Sequence, residues 1–180
     1  MKDKFILLDK TECLTLLCTK ASSHWSFVKF LLNLPLVFTS SAMCIINSIS
    51  TDSEKVKIPN IVVNPCSVLL MSLLNNIKPS EKYDLFKRLQ QQYMELSQEI
   101  DSIEDEQISK EKYDILVLKY ENLLKDTLFE EIPNNYKQSV AKIYLDAEKH
   151  IPIQLNGTLG NFSKKRNSKS LHNVELGQIV

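Results

Sequence analysis

Phe30–Thr51 reads FLLNLPLVFTSSAMCIINSIST, and Ile58–Ile77 reads IPNIVVNPCSVLLMSLLNNI. Neither stretch carries an ionisable side chain apart from a cysteine thiol, and only the six residues DSEKVK separate them. A bilayer core about 30 Å thick is crossed by roughly 20 mostly apolar helical residues. Two such stretches on so short a connector predict a transmembrane helical hairpin. The competing expectation is a soluble helical protein with both stretches buried as its core.

Outward from the hairpin the chain is charged. Its 180 residues hold 22 basic and 22 acidic side chains, and mean hydropathy is −0.16. That balance suits a short membrane module on a larger soluble part and argues against nucleic acid as a partner. Only 3 Gly and 6 Pro are present, which favours helices over turn-rich β architecture. The expected fold is all-α: a two-helix transmembrane hairpin followed by a small bundle of amphipathic, coiled-coil-like helices. Its segments are an N-terminal arm (1–24), the hairpin (25–78), a cytosolic helical bundle (79–150) and a disordered basic tail (151–180).

Residues 1–20 hold two short apolar clusters, Phe5–Leu8 and Leu14–Cys18. They read as a weak amphipathic helix or a frayed terminus. Ser40-Ser41-Ala42 offers small residues at signal-cleavage spacing. However, 29 residues precede the apolar run, and it continues through Cys44, Ile45 and Ile46, so a span is expected. Trp25, Lys29 and Lys78 are candidate interface anchors, since Trp favours the headgroup level and lysine can reach it. The alternative for Trp25 is a packing anchor.

Each span carries a polar stripe. Asn33, Ser40 and Asn47 recur every seven residues, which keeps them on one helical face. Asn60, Asn64, Ser67 and Asn75 fall within an arc of roughly 80°. Lipid cannot satisfy these groups, so they must face protein or water. They are either glue for the hairpin and its oligomer or the lining of a water-filled path. In the second span Asn64-Pro65 reads as an N-cap followed by proline at the first helical position. The alternatives are a helix that already includes Ile58–Val63 and is only kinked at Pro65, and a re-entrant or buried soluble helix.

The positive-inside rule weighs Lys10, Lys20, Lys29, Lys78, Lys82, Lys87 and Arg88 against Lys55 and Lys57 of the connector. It predicts an integral membrane protein with both termini cytosolic.

Beyond the hairpin, Phe86, Leu89, Tyr93, Leu96, Ile100 and Ile103 alternate spacings of three and four. This stripe must be buried, either against an antiparallel partner in the same chain or as the seam of a homo-oligomer. Ser109 is placed to cap a further helix with Tyr113, Leu116, Tyr120, Leu123 and Leu124 inward, and Ile108 to staple it. Pro133 ends that helix. A last one, about Asn135 to His150, is expected to turn Tyr136, Val140, Ile143 and Tyr144 inward. Past Ile151 periodicity is lost, and Lys164, Lys165, Arg166 and Lys169 make the tail basic.

No phosphate loop, zinc-protease pattern, nucleophile elbow or Cys-x-x-Cys is present. The four cysteines and three histidines are scattered, and the acidic run Glu104–Glu106 reads as a solvated helix end. No catalytic residue, cofactor or metal is expected.

The order of KASSHWSFVKFLLNLPLVFTSSAM, a second span, EKYDLFKRLQQQYMELSQEIDSIE and KYENLLKDTLFEEIPNNYKQSVAKIY resembles a known family. His24-Trp25, Leu34-Pro35 and Ile132-Pro133 contribute to the likeness. The chain is similar over residues 20–145 to the SLATT group, two-transmembrane effectors associated with nucleotide-sensing conflict systems. It looks most like the versions of large DNA viruses and some eukaryotes. The resemblance implies oligomers that open pores in a host or virion membrane, with a separate, unidentified sensor partner. The alternative is a non-conducting scaffold or viral membrane component.

Asn156-Gly157-Thr158 and Asn161-Phe162-Ser163 match the N-glycosylation acceptor pattern. With a cytosolic C-terminus both stay unmodified in a eukaryotic host. A glycosidase-sensitive mobility shift would place them in the lumen instead.

Overall fold

A computed structural model describes residues 2–49, 53–103 and 109–156. The elements are α1 (Lys2–Ile49), α2 (Ser53–Ile77), α3 (Pro79–Ser102), α4 (Lys110–Asp126), a 3-10 turn (Phe129–Glu131), α5 (Asn134–Asp146) and the single turn α6 (Ile153–Asn156). Among the described residues there is no strand, and the all-α expectation holds. The acidic run, Ile108 and everything past Asn156 lie outside the described residues.

α1 is one helix of 48 residues, roughly 72 Å at 1.5 Å per residue. The arm and the first span are therefore not separate elements. No Gly or Pro interrupts the segment that joins them (Lys20–Phe30), so nothing stops the helix there. α2 likewise runs through Pro65, so the earlier-starting alternative applies and Asn64 is not an N-cap. Its 25 residues reach roughly 37 Å, more than the hydrocarbon thickness of about 30 Å.

The α2–α3 junction has a local cause. Proline disfavours right-handed helical geometry in the residue before it. Lys78, ahead of Pro79, takes φ 51°. Hydrogen bonding resumes on both sides, from Lys78 N–H to Leu74 O (2.9 Å) and from Lys82 N–H to Lys78 O (3.2 Å).

The chain divides into two compact units, 22–85 and the remainder, with α1 and α3 contributing to both. The remainder is a bundle of four helical segments, because the start of α1 joins the three expected helices. Leu7, Cys13, Leu14, Leu17, Cys18 and Ala21 are buried, as are Phe86, Leu89, Tyr93, Leu96 and Ile100 of α3. Thr11 is fully buried too, because its hydroxyl hydrogen is satisfied by its own helix, by the carbonyl of Leu8 (2.8 Å) with that of Leu7 also in reach (3.1 Å). α4 adds Leu116 and Tyr120, and α5 adds Val140, Ala141 and Tyr144.

Long-range bonds set the directions. Lys4 Nζ donates to Ile103 O, so the start of α1 lies beside the end of α3. Lys119 pairs with Glu99 (2.7 Å). Lys20 Nζ donates to Ser139 Oγ (3.1 Å), while beyond α5 Lys149 pairs with Glu12 (2.8 Å) and His150 with Asp9 (3.2 Å). Ser109 caps α4 as expected, accepting from Lys112 N–H (3.3 Å). Two expectations fail. Ile143 is 48% exposed, because the buried line of α5 is Val140, Ala141 and Tyr144. α5 also stops at Asp146, and Glu148 turns to φ 56°. Past Ile151, Pro152 and Leu155 are buried.

One buried polar contact crosses the core. Tyr93 Oη and Thr127 Oγ1 are 3.0 Å apart, and Thr127 Oγ1 donates to Leu123 O at 2.9 Å. A hydroxyl has one hydrogen, so Tyr93 is the donor. Thr127→Val should leave a buried phenol unsatisfied and cost about 1–3 kcal/mol, whereas Tyr93→Phe should cost about 1 kcal/mol. Denaturant unfolding of both single variants and the double variant checks this. The Thr127→Val penalty should shrink in the Tyr93→Phe background, and equal penalties in both backgrounds would refute the contact.

Candidate functional site

The unit spanning 22–85 presents its apolar surface. From Phe27 to Leu73, fourteen large apolar side chains are exposed, Phe38 at 67% and Ile49 at 78% among them. Two helical stretches are long and apolar enough to cross a membrane, and their most apolar windows are 6% and 0% buried within the chain. The core helix of a soluble protein is mostly buried, so these stretches do not serve as a core here.

The less exposed positions draw one line on each helix. On α1 they include Leu32, Leu36, Thr39, Met43 and Ile46; on α2 they are Asn60, Val63, Ser67, Leu70, Leu74 and Ile77. Both lines step by three and four, the spacing of helices packed side by side. The helices run antiparallel. α1 ends at Ile49 and α2 begins at Ser53. At the other end Lys82 Nζ lies 4.4 Å from the Trp25 ring centre, and Lys29 Nζ 6.0 Å from that of Tyr83.

Against these lines the seven stripe residues separate. Asn60 and Ser67 are half-buried on the inner line of α2, and Asn33 is half-buried at the border of that of α1. Ser40, Asn47, Asn64 and Asn75 are exposed. At 100° per residue, Asn33, Ser40 and Asn47 sit roughly 50–90° round from the inner line of α1, and Asn64 and Asn75 roughly 90–110° round from that of α2. The rotational sense is the same on both helices. For antiparallel neighbours, equal sense brings both sets to the same side of the pair. Ser40 and Asn64 also fall within about a turn of the same level, near the middle of the spans. The side so formed is the candidate site, called here the polar flank.

The other sequence-derived positions are placed differently. Trp25 is only 9% exposed, with the His24 ring edge-on at 5.3 Å and the Lys82 ammonium across it, so the packing-anchor alternative describes it. Lys82, read from sequence only as a topology charge, is thus part of the anchor. It is 57 residues from Trp25, and no local signal could have paired them. Lys78 is exposed and pairs with Glu81 at 3.1 Å. The stripe from Phe86 to Ile100 is buried inside the single chain. The same-chain partner has taken it, and as a free oligomer seam it is corrected. Ile103 is half-buried, and its carbonyl accepts from Lys4.

No group of three or more His, Cys, Asp or Glu side chains suited to a metal occurs among the described residues. All four cysteines are free, Cys13 and Cys18 buried, Cys44 and Cys66 exposed. Burial pushes the thiols of Cys13 and Cys18 up from 9.0 to about 12, with Asp9 adding to the rise at Cys13. Burial likewise pushes the Tyr120 phenol from 10.0 to about 12. Cys13 and Cys18 are therefore core thiols without nucleophilic character. Each of these groups is neutral in the folded state and ionises more readily when unfolded. Their stabilising contribution is complete below pH 9 and is lost as pH rises towards 12. Circular dichroism against denaturant should show stability falling steadily across that window. Cys13 and Cys18 should also resist N-ethylmaleimide at mildly alkaline pH until the bundle unfolds, and rapid labelling of either in the folded protein would contradict their placement.

No protein-family model, curated protein or solved structure matches the chain. The class defined by fold and surface is an all-α protein with two helices long and apolar enough to span a bilayer.

Proposed function

We propose that the chain is a non-enzymatic, two-span integral membrane protein that self-associates in the bilayer and opens a water-filled path, in the manner implied by its resemblance to SLATT effectors. One observation carries the reading. Amide and hydroxyl side chains, Ser40, Asn47, Asn64 and Asn75 among them, are exposed on helices whose exposed surface is mostly apolar. Hydrocarbon leaves such groups unsatisfied, so in a bilayer they need another protein surface or water. Both termini are assigned to the cytosol, because Lys29, Lys78 and Lys82 gather at the hairpin end away from the connector. A separate partner that senses the trigger belongs to this reading.

A non-conducting, membrane-anchored scaffold is the second reading. It is favoured by Asn60 and Ser67, which lie on the inner line of α2, where polar side chains hold helices together.

Dye-loaded liposomes separate the two. The wild-type chain should release dye, and Asn47→Leu with Asn64→Leu should reduce release at least tenfold while the protein still resists alkaline carbonate extraction. Intact liposomes with inserted wild-type protein would leave the scaffold reading. Extraction of the wild-type chain into the aqueous phase would end both.

A further inference from the structure

Apart from the spans, the bundle holds a cleft of about 270 Å³ between α1, α4 and α6. Its inner wall is apolar. Leu7 and Tyr120 are buried there, and Ile6, Val117 and Leu124 are half-buried. On the α6 side Ile153 lines it, although 76% exposed. The α6 wall is pinned in place. Pro152 and Leu155 are buried, and just ahead of them Lys149 pairs with Glu12 and His150 with Asp9.

Four polar side chains line the same cleft: Lys10 from α1, Tyr113 and Glu121 from α4, and Gln154 from α6. Among the described residues none of the four makes a side-chain hydrogen bond or an ion pair. Lys10 and Glu121 thus bring opposite charges to opposite walls without pairing with each other. We propose that the cleft binds a small zwitterion with an apolar side chain, of the class of the free apolar amino acids, its carboxylate on Lys10 and its ammonium on Glu121. The proposal concerns the bundle alone and does not depend on whether the spans conduct.

The lining selects this class. An occupant with a single charge leaves either Lys10 or Glu121 without a partner in a site it has partly dried, and an uncharged one leaves both so. A phosphate suits the cleft poorly, because Lys10 is the one cation lining it among the described residues and Glu121 repels an anion. The volume falls just below the roughly 300–1,000 Å³ usual for ligand sites, which limits the occupant to about the size of an amino acid. The Tyr113 hydroxyl can donate to the carboxylate, and the Gln154 amide can donate or accept. Two tyrosines beside aliphatic walls make phenylalanine and leucine the natural probes.

The test is equilibrium dialysis of the full-length chain in mild detergent, with detergent alone as the blank. The probes are L-phenylalanine, L-leucine, phenethylamine, which lacks the carboxylate, and 3-phenylpropionate, which lacks the ammonium. The wild-type chain should bind phenylalanine or leucine saturably, and each one-charge analogue at least about tenfold more weakly, since each forfeits a charge-assisted hydrogen bond. Lys10→Met should weaken amino-acid binding about tenfold and leave phenethylamine unchanged. Glu121→Gln should weaken it similarly and leave 3-phenylpropionate unchanged. Circular dichroism of both variants should match the wild type. Absence of saturable binding of both amino acids overturns the proposal. Equal binding of phenylalanine and its two analogues to the wild-type chain does so too, because the cleft is then merely apolar.

Discussion

Hydrocarbon neither donates nor accepts a hydrogen bond, and for two helices long and apolar enough to cross a bilayer that constraint would govern what the rest of the chain must do. In a bilayer it would require the apolar parts of α1 and α2 to be helical, as they are, because only a helix satisfies its own amides within one segment. It would also turn exposed polar side chains such as Ser40, Asn47, Asn64 and Asn75 from an ordinary surface detail into a demand for a partner. The same residues on a water-facing helix would call for no explanation. Here their neighbours, Phe38, Ile45, Val68 and Leu69 among them, are as exposed as they are.

α1 shows how one helix carries both a packed core and an exposed apolar surface. Over its first turns it buries Leu7, Leu14 and Leu17 on a water-facing bundle, with Thr11, Thr15 and Thr19 bonded back to their own helix. Past Trp25 its outward face becomes largely apolar, while its inner line, Leu32, Leu36, Thr39, Met43 and Ile46, stays so. No Gly or Pro marks the change between Lys20 and Phe30. The break that does exist, at Lys78-Pro79, falls where proline sterics put it.

The burial of the α3 stripe redirects the question of assembly. A heptad pattern states that a face will be covered and leaves open what covers it. Phe86, Leu89, Tyr93, Leu96 and Ile100 are covered by their own chain, with Tyr93 anchored on Thr127. Any association between copies then falls to surfaces outside that stripe.

Much of this was legible in the residues alone. The uncharged runs, their length and their short connector determine two apolar helices, and the three-and-four spacing of α3 determines which of its faces is buried, because both follow from local geometry and the cost of exposing apolar surface to water. The N-terminal clusters were too short and irregular to announce a core helix, yet they supply its most buried residues. Only the tertiary structure decided that, along with the Lys82–Trp25 contact and the splitting of the second polar stripe between the inner line of α2 (Asn60, Ser67) and its exposed side (Asn64, Asn75). Each depends on groups far apart in the chain and on the antiparallel sense of α1 and α2, and no periodicity within a single segment encodes which neighbour a face will meet.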